Sequence, residues 1–123
     1  MIPVKIYKNA DLEKIKILQE NKGKAGVYCW RNLTNGKIYV GSGVDLGKRF
    51  AEYYSIKYLE SGVKKSRSII YSSMLKCGYS NFSLEIIEYC KKSETILREQ
   101  YFLDILNPEY NLRKIANSNL GRK

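Results

Sequence analysis

Apolar positions from residue 26 to residue 41 fall into two short runs, Gly26-Val27-Tyr28-Cys29-Trp30 and Ile38-Tyr39-Val40-Gly41, on either side of Asn35-Gly36. This pattern predicts a β-hairpin, because Asn-Gly accepts the positive φ angles of a type I′ turn. A two-residue loop sets Tyr39 opposite Asn32. Strand alternation then puts Tyr28 and Tyr39 on one face and Val27, Cys29, Ile38 and Val40 on the other. Upstream, Asn9 is a candidate N-cap for a short helix with Leu12, Ile15 and Leu18 on one face and Gly23 as its stop. Downstream, Asp45 caps a helix to about Tyr54, on which Arg49 and Tyr53 stand four apart on one face. Gly62 marks an interruption. Ser66 or Ser68 opens the next helix, with Ile69, Ile70, Met74 and Leu75 as its apolar members, and Gly78 ends it. Between Asn81 and Cys90, Phe82, Leu84 and Ile86 alternate with polar neighbours and Ile87 follows, which predicts a strand partly buried on both faces. Ser93 caps a last helix to Leu106, closed by Asn107-Pro108.

The order helix, strand, strand, helix, helix, strand, helix implies an α+β fold in which a three-stranded antiparallel sheet is flanked by helices. A chain of 123 residues suits one domain. It divides into an N-terminal helical extension packed on the core (1–24), a central unit (25–116) and a basic tail or start of a linker (117–123).

Composition narrows the partners. Lys and Arg number 22 against 12 acidic residues, a net charge of +10, so the chain attracts polyanions. No long apolar run and no basic amphipathic helix with a Trp/Phe/Leu face is present, which favours nucleic acid over a membrane. Cys29, Cys77 and Cys90 are odd in number and widely spaced, fitting reduced thiols rather than a disulfide framework or zinc site. Neither a signal-peptide core nor a transit-peptide pattern opens the sequence, so the chain reads as intracellular. Abundant Lys, Ile, Asn and Tyr fit an AT-rich coding sequence, as in an organelle or a phage.

Glu99 is the most informative residue. Ile96, Glu99, Leu103 and Leu106 recur at the helical period, which sets a carboxylate in an apolar stripe. A buried charge needs a metal or a cation; a structural salt bridge to Arg49 or Arg67 is the bland alternative. Tyr28 and Tyr39, read alone, are ordinary aromatics of a sheet face. Gly41 and Gly43 beside Tyr39 let backbone or ligand approach closely, or mark a simple bend.

Together these residues resemble a family. Gly26-Val27-Tyr28 followed by Tyr39-Val40-Gly41 is similar to the paired signature of GIY-YIG endonucleases, with Val in place of Ile in each element. Arg49, then Tyr53 one turn later, Glu99 in the last long helix and Asn111 within Tyr110-Asn111-Leu112 follow in family order. Gly78-Tyr79-Ser80-Asn81-Phe82, Arg98-Glu99-Gln100-Tyr101 and Asn107-Pro108-Glu109-Tyr110-Asn111 resemble the homing endonucleases of group I introns in fungal mitochondria and phages. The resemblance makes 25–116 a nuclease domain; such enzymes usually add DNA-binding modules after it. Some members carry histidine one turn after the arginine and another in the following loop, and this sequence has no histidine. Tyr53 stands at the first position, as in the family's excision-repair nucleases, and the second falls near Lys65 or Ser66.

The implied activity is metal-dependent hydrolysis of DNA phosphodiesters. Glu99 would hold one Mg²⁺ or Mn²⁺, because a hard cation prefers oxygen ligands, and Arg49 would clamp the scissile phosphate. Tyr28 or Tyr39 would accept the proton of the attacking water, with Tyr28 favoured. Tyr53 would bond the phosphate or orient the nucleophile, and Asn111 would bond a tyrosine or a metal-bound water. Lack of histidine removes HNH-type and zinc-hydrolase mechanisms, which rely on imidazole. Gly41, Lys48, Lys57, Lys64, Lys65, Arg67, Arg113 and Lys114 are the expected DNA contacts, with the protein a monomer or weak dimer and no small-molecule cofactor. The alternative is a catalytically inactive, basic nucleic-acid-binding module of the same fold.

Overall fold

In the computed structural model, which describes residues 1–116, the expected hairpin forms with a longer turn. Strands β2 (Gly26–Asn32) and β3 (Ile38–Gly43) pair Tyr28 with Gly41 and Trp30 with Tyr39. The Asn32 amide bonds the Lys37 carbonyl, so residues 33–36 form a four-residue loop. The expected pairing of Tyr39 with Asn32 is therefore out by two residues. Asn32 explains the shift, because its side-chain oxygen accepts from the Thr34 amide and starts the turn early. A shift of two preserves the alternation, and the two faces hold the residues predicted for them.

The sheet has four strands rather than three, in the order β1-β4-β2-β3 and antiparallel throughout. β4 (Phe82–Tyr89) lies at its centre and is buried on both faces over most of its length, as the sequence predicts. The unforeseen strand is β1 (Lys5–Tyr7), paired to β4 with Ile6 opposite Glu85. Three residues are too few to show a period; only the fully buried Tyr7 marks its inner face. The following helix, α1 (Lys14–Glu20), buries Ile17, while Leu12 and Ile15 are 82% and 70% exposed. Asn9 caps a turn instead, its side-chain oxygen accepting from the Asp11 and Leu12 amides, and of the three expected apolar members only Leu18 packs against the core, beside Ile17.

Helix α2 (Leu46–Tyr53) starts at Asp45, whose carboxylate accepts from the Lys48 amide. Gly62 does not interrupt. It lies inside an unpredicted helix, α3 (Ile56–Ser66), capped by Ser55. A Cβ at Gly62 would stand 2.4 Å from Cδ2 of Tyr71, so the glycine is there to admit that ring. Ser68 caps α4 (Ile69–Cys77) and Gly78 ends it at φ 82°. Helix α5 runs from Thr95 to Leu106, one residue later than a Ser93 cap implies, because a short 3₁₀ turn intervenes. Asn107 closes it in the left-handed conformation.

One sheet face, with Tyr28, Trp30, Leu84 and Ile86, packs against the helices that bury Ile17, Phe50, Tyr53, Leu59, Ile70 and Met74. The other, with Val27, Cys29, Val40 and Ile87, is covered by Phe102 and Leu103 of α5. Helices therefore occupy both sides of the sheet and β3 is an edge. The 117–123 tail lies outside the described residues.

Candidate active site

An edge strand leaves N–H and C=O groups without a neighbouring strand. On β3 the segment after α5 covers part of them. Tyr110 N–H bonds the Ile38 carbonyl and a Glu109 carboxylate oxygen accepts from the Ile38 amide. Asn111 completes the cover, its Oδ1 accepting from the Val40 amide at 2.9 Å and its Nδ2 donating to the Val40 carbonyl at 2.8 Å. The cover stops there. Beside it opens a cleft of about 370 Å³, lined by Tyr39, Arg49, Lys65, Tyr71, Glu99 and Arg113 among others. Glu99 reaches it from the α5 side of the sheet and Arg49 from the α2 side, so groups from opposite faces meet around the edge strand.

Arg49 is held from three directions. Its guanidinium lies 4.3 Å from the Tyr53 ring centre, donates to the Tyr71 hydroxyl at 2.7 Å and pairs with Glu52 at 2.9 Å. Among the described residues neither Arg49 nor Arg67 forms a salt bridge with Glu99, so the structural ion pair considered for that carboxylate is not found there. Glu99 Oε1 instead accepts a 2.5 Å hydrogen bond from Ser42, a residue the sequence reading did not single out. Burial raises the Glu99 carboxyl above the usual carboxylate range, with the Ser42 hydrogen bond and the Arg49 charge acting against it. A half-buried carboxylate with one oxygen fixed and, among the described residues, no ion-pair partner is a fitting donor for a hard cation. Among the described residues no three His, Cys, Asp or Glu side chains gather into a cage, so the donor set suits an ion held mainly by water and phosphate.

The phenols divide. Tyr39 lines the cleft. Tyr28 is buried beneath it, 1% exposed, with its hydroxyl 2.9 Å from that of Tyr53, which is also fully buried. Burial pushes both upward in pKa, outweighing the nearby Arg49 charge. Neither residue lines the cleft, although the Tyr53 hydroxyl accepts from Arg49 Nη2 at 3.3 Å. Tyr39 is raised as well, again by burial. Gly41 serves the same buried layer: a Cβ there would lie 2.6 Å from the Tyr28 hydroxyl, so its missing side chain makes room for that ring rather than for DNA. Asn111 spends one side-chain N–H and one oxygen lone pair on β3, which makes it a strut of the cleft wall.

Of the expected DNA contacts, Lys65 and Arg113 line this cleft and Arg67 lines a second groove of about 500 Å³. Ser68, Ile69 and Tyr110 border both, so the two are adjacent. Lys48, Lys57 and Lys64 are exposed but line neither. The Lys114 ammonium is turned back onto the Pro108 carbonyl. Sequence reasoning missed Tyr71, Ser42 and Lys76, the last a member of the second groove. Tyr71 stands among the apolar members of α4 with nothing local to mark it; the glycine at 62, which admits its ring, is the one signal in the sequence.

Residues 24–111 match the family described as the GIY-YIG catalytic domain. Over 103 residues the chain is 34% identical to intron-associated endonuclease 1 of Enterobacteria phage T4, covering 80% of this chain and 39% of that protein. It is 29% identical over 121 residues to "Probable intron-encoded endonuclease 1" of Neurospora crassa, covering 91% of this chain and 37% of the relative. The chain thus spans about two fifths of the length of these curated relatives. Among solved structures, a mutant form of the catalytic domain of intron endonuclease I-TevI superimposes with a TM-score of 0.60 at 32% identity, covering 76% of this chain and 97% of that one. Among the described residues no helix is long and apolar enough to cross a membrane.

Proposed function

This chain belongs to the GIY-YIG family, and on that premise we propose that it is the nuclease domain of an intron-encoded homing endonuclease, hydrolysing DNA phosphodiesters. The observation that carries this reading is the convergence of Arg49, Tyr39 and Glu99, from three separate elements, on one cleft beside an edge strand. The same three placed apart would support only a basic binding module. In-line hydrolysis needs an oriented phosphate, an activated water and stabilisation of the leaving oxygen.

Arg49 supplies the first. Its contacts with Tyr53, Tyr71 and Glu52 fix the guanidinium plane before substrate arrives, so little conformational freedom is lost on binding. Glu99, oriented by Ser42, would hold one Mg²⁺ or Mn²⁺, which when bound would neutralise phosphate charge and stabilise the leaving oxygen. Of the two signature tyrosines Tyr39 lines the cleft and is the better candidate to orient a water or take its proton; Tyr53 would act from beneath by contacting Arg49, and Tyr28 through Tyr53. Lys65 and Arg113 would meet flanking phosphates in the cleft, while Arg67 and Lys76 would carry the strand along the second groove. Of the domain limits read from sequence, 25–116 is retained as the nuclease unit, with residues 1–24 supplying an edge strand and helix to it.

Nicking of supercoiled plasmid in Mg²⁺ tests the reading. Glu99→Ala and Arg49→Ala should each abolish nicking while DNA still binds in a gel shift. Residual cutting by Glu99→Ala protein in EDTA defeats the metal assignment, and wild-type protein that binds but never cuts favours the inactive binding module.

A further inference from the structure

We propose that Tyr71 is an additional catalytic residue, its phenolic O–H donating to a non-bridging oxygen of the scissile phosphate beside Arg49. The inference rests on the phosphodiester-cleaving reading above. Tyr71 is nearly buried, yet it lines the cleft with Tyr39, Arg49 and Glu99. Its oxygen accepts from Arg49 Nη2 at 2.7 Å, and among the described residues the hydroxyl hydrogen has no acceptor. A hydroxyl that receives a guanidinium N–H directs its own hydrogen elsewhere. The neighbouring walls are the Tyr53 ring, edge-on at 5.5 Å, and the Tyr58 ring at 6.0 Å, so the open direction is the cleft. An anion clamped by Arg49 would lie within reach of both donors.

Gly62 supports a built position. A glycine inside an α-helix costs about 1 kcal/mol relative to alanine, and here any Cβ would strike the Tyr71 ring at 2.4 Å and 2.5 Å. The helix accepts a poor residue to let this one ring lie against it. Tyr53 also accepts from Arg49 Nη2, at 3.3 Å, but its hydroxyl is bonded to that of Tyr28 and neither of these two residues lines the cleft.

The test compares wild type with Tyr71→Phe, which keeps the ring and removes the hydroxyl. Single-turnover nicking should slow about ten- to hundredfold, the usual consequence of losing a hydrogen bond to a charged group, with DNA affinity and melting temperature unchanged. A direct phosphate contact has a further signature. On a short duplex around a mapped cut, with Mn²⁺ present, one phosphorothioate diastereomer at the scissile linkage should slow wild type more than it slows Tyr71→Phe. Nicking by Tyr71→Phe at the wild-type rate overturns the proposal, as does a slower variant whose two phosphorothioate penalties equal those of wild type, since the residue then acts through Arg49 alone. If Tyr71→Phe loses its melting transition, Gly62→Ala, which retains the hydroxyl and displaces the ring, carries the same two expectations. Wild type that fails to cut defeats the nuclease reading itself, whereas wild-type cutting matched by Tyr71→Phe defeats only this assignment.

Discussion

Glu99 shows how one residue can serve function against stability. Its carboxyl binds a proton more tightly in the folded chain than in the unfolded one, because burial raises its pKa. Such a group contributes most stability at acid pH, below its unfolded pKa, and that contribution is lost as pH rises through the folded value. At neutral pH without metal, Glu99→Gln should therefore raise the melting temperature while abolishing cleavage, and the advantage should fade in acid. A neutral-pH melting temperature at or below that of wild type would show that desolvation of this carboxyl is not the governing effect. The two signature tyrosines separate by the same reasoning. Tyr39→Phe should slow cleavage more than Tyr28→Phe, since only Tyr39 meets the cleft. Removing the Tyr28 hydroxyl should mainly cost about 1 kcal/mol in unfolding free energy through the lost Tyr53 contact. Equal rate losses for the two would argue against this division.

At the scale of elements, the informative part is the edge of β3 and its cover. Asn111 stands among the expected chemical groups because it follows in family order within Tyr110-Asn111-Leu112, yet its amide is engaged with both the N–H and the C=O of Val40. Asn111→Ala would strip partners from a backbone amide and carbonyl at once. Unfolding in urea should show a loss of about 1–3 kcal/mol, the usual cost of orphaning such groups. Asn111→Asp should rescue only in part, since a carboxylate accepts from the amide but cannot donate to the carbonyl. A variant as stable as wild type would mean that water replaces the side chain without cost. Helix α3 makes the complementary point. Its glycine reads as a break in a one-dimensional pattern, and its reason lies on another helix.

Over the whole molecule, a net charge of +10 becomes a binding surface only where the fold gathers it. Arg67, which takes the left-handed conformation at the end of α3, and Lys76 border a groove that adjoins the cleft at Ser68, Ile69 and Tyr110. If a DNA strand follows this path, affinity should fall steeply on going from about 50 to about 200 mM salt, through counterion release. The double variant Arg67→Ala/Lys76→Ala should flatten the log-log slope by about 2. Lys48→Ala/Lys57→Ala, outside both grooves, serves as the control and should change the slope less. An unaltered slope in the groove variant would place the strand elsewhere.

Much of this protein was legible in its residues. Hairpin parity, the Asp45 cap, a serine cap at 66 or 68 and the central strand all depend on neighbours a few positions apart, where turn chemistry and periodicity act. The outer strand β1, the helix around Gly62 and the exposed face of α1 were not, because each is decided by contacts distant along the chain. The same holds within the site. Residue types named the chemistry, but which phenol meets solvent, what steadies Glu99 and where the asparagine spends its amide depend on burial and on an uncovered strand edge. Those properties exist only once the two faces of the sheet have been closed by helices.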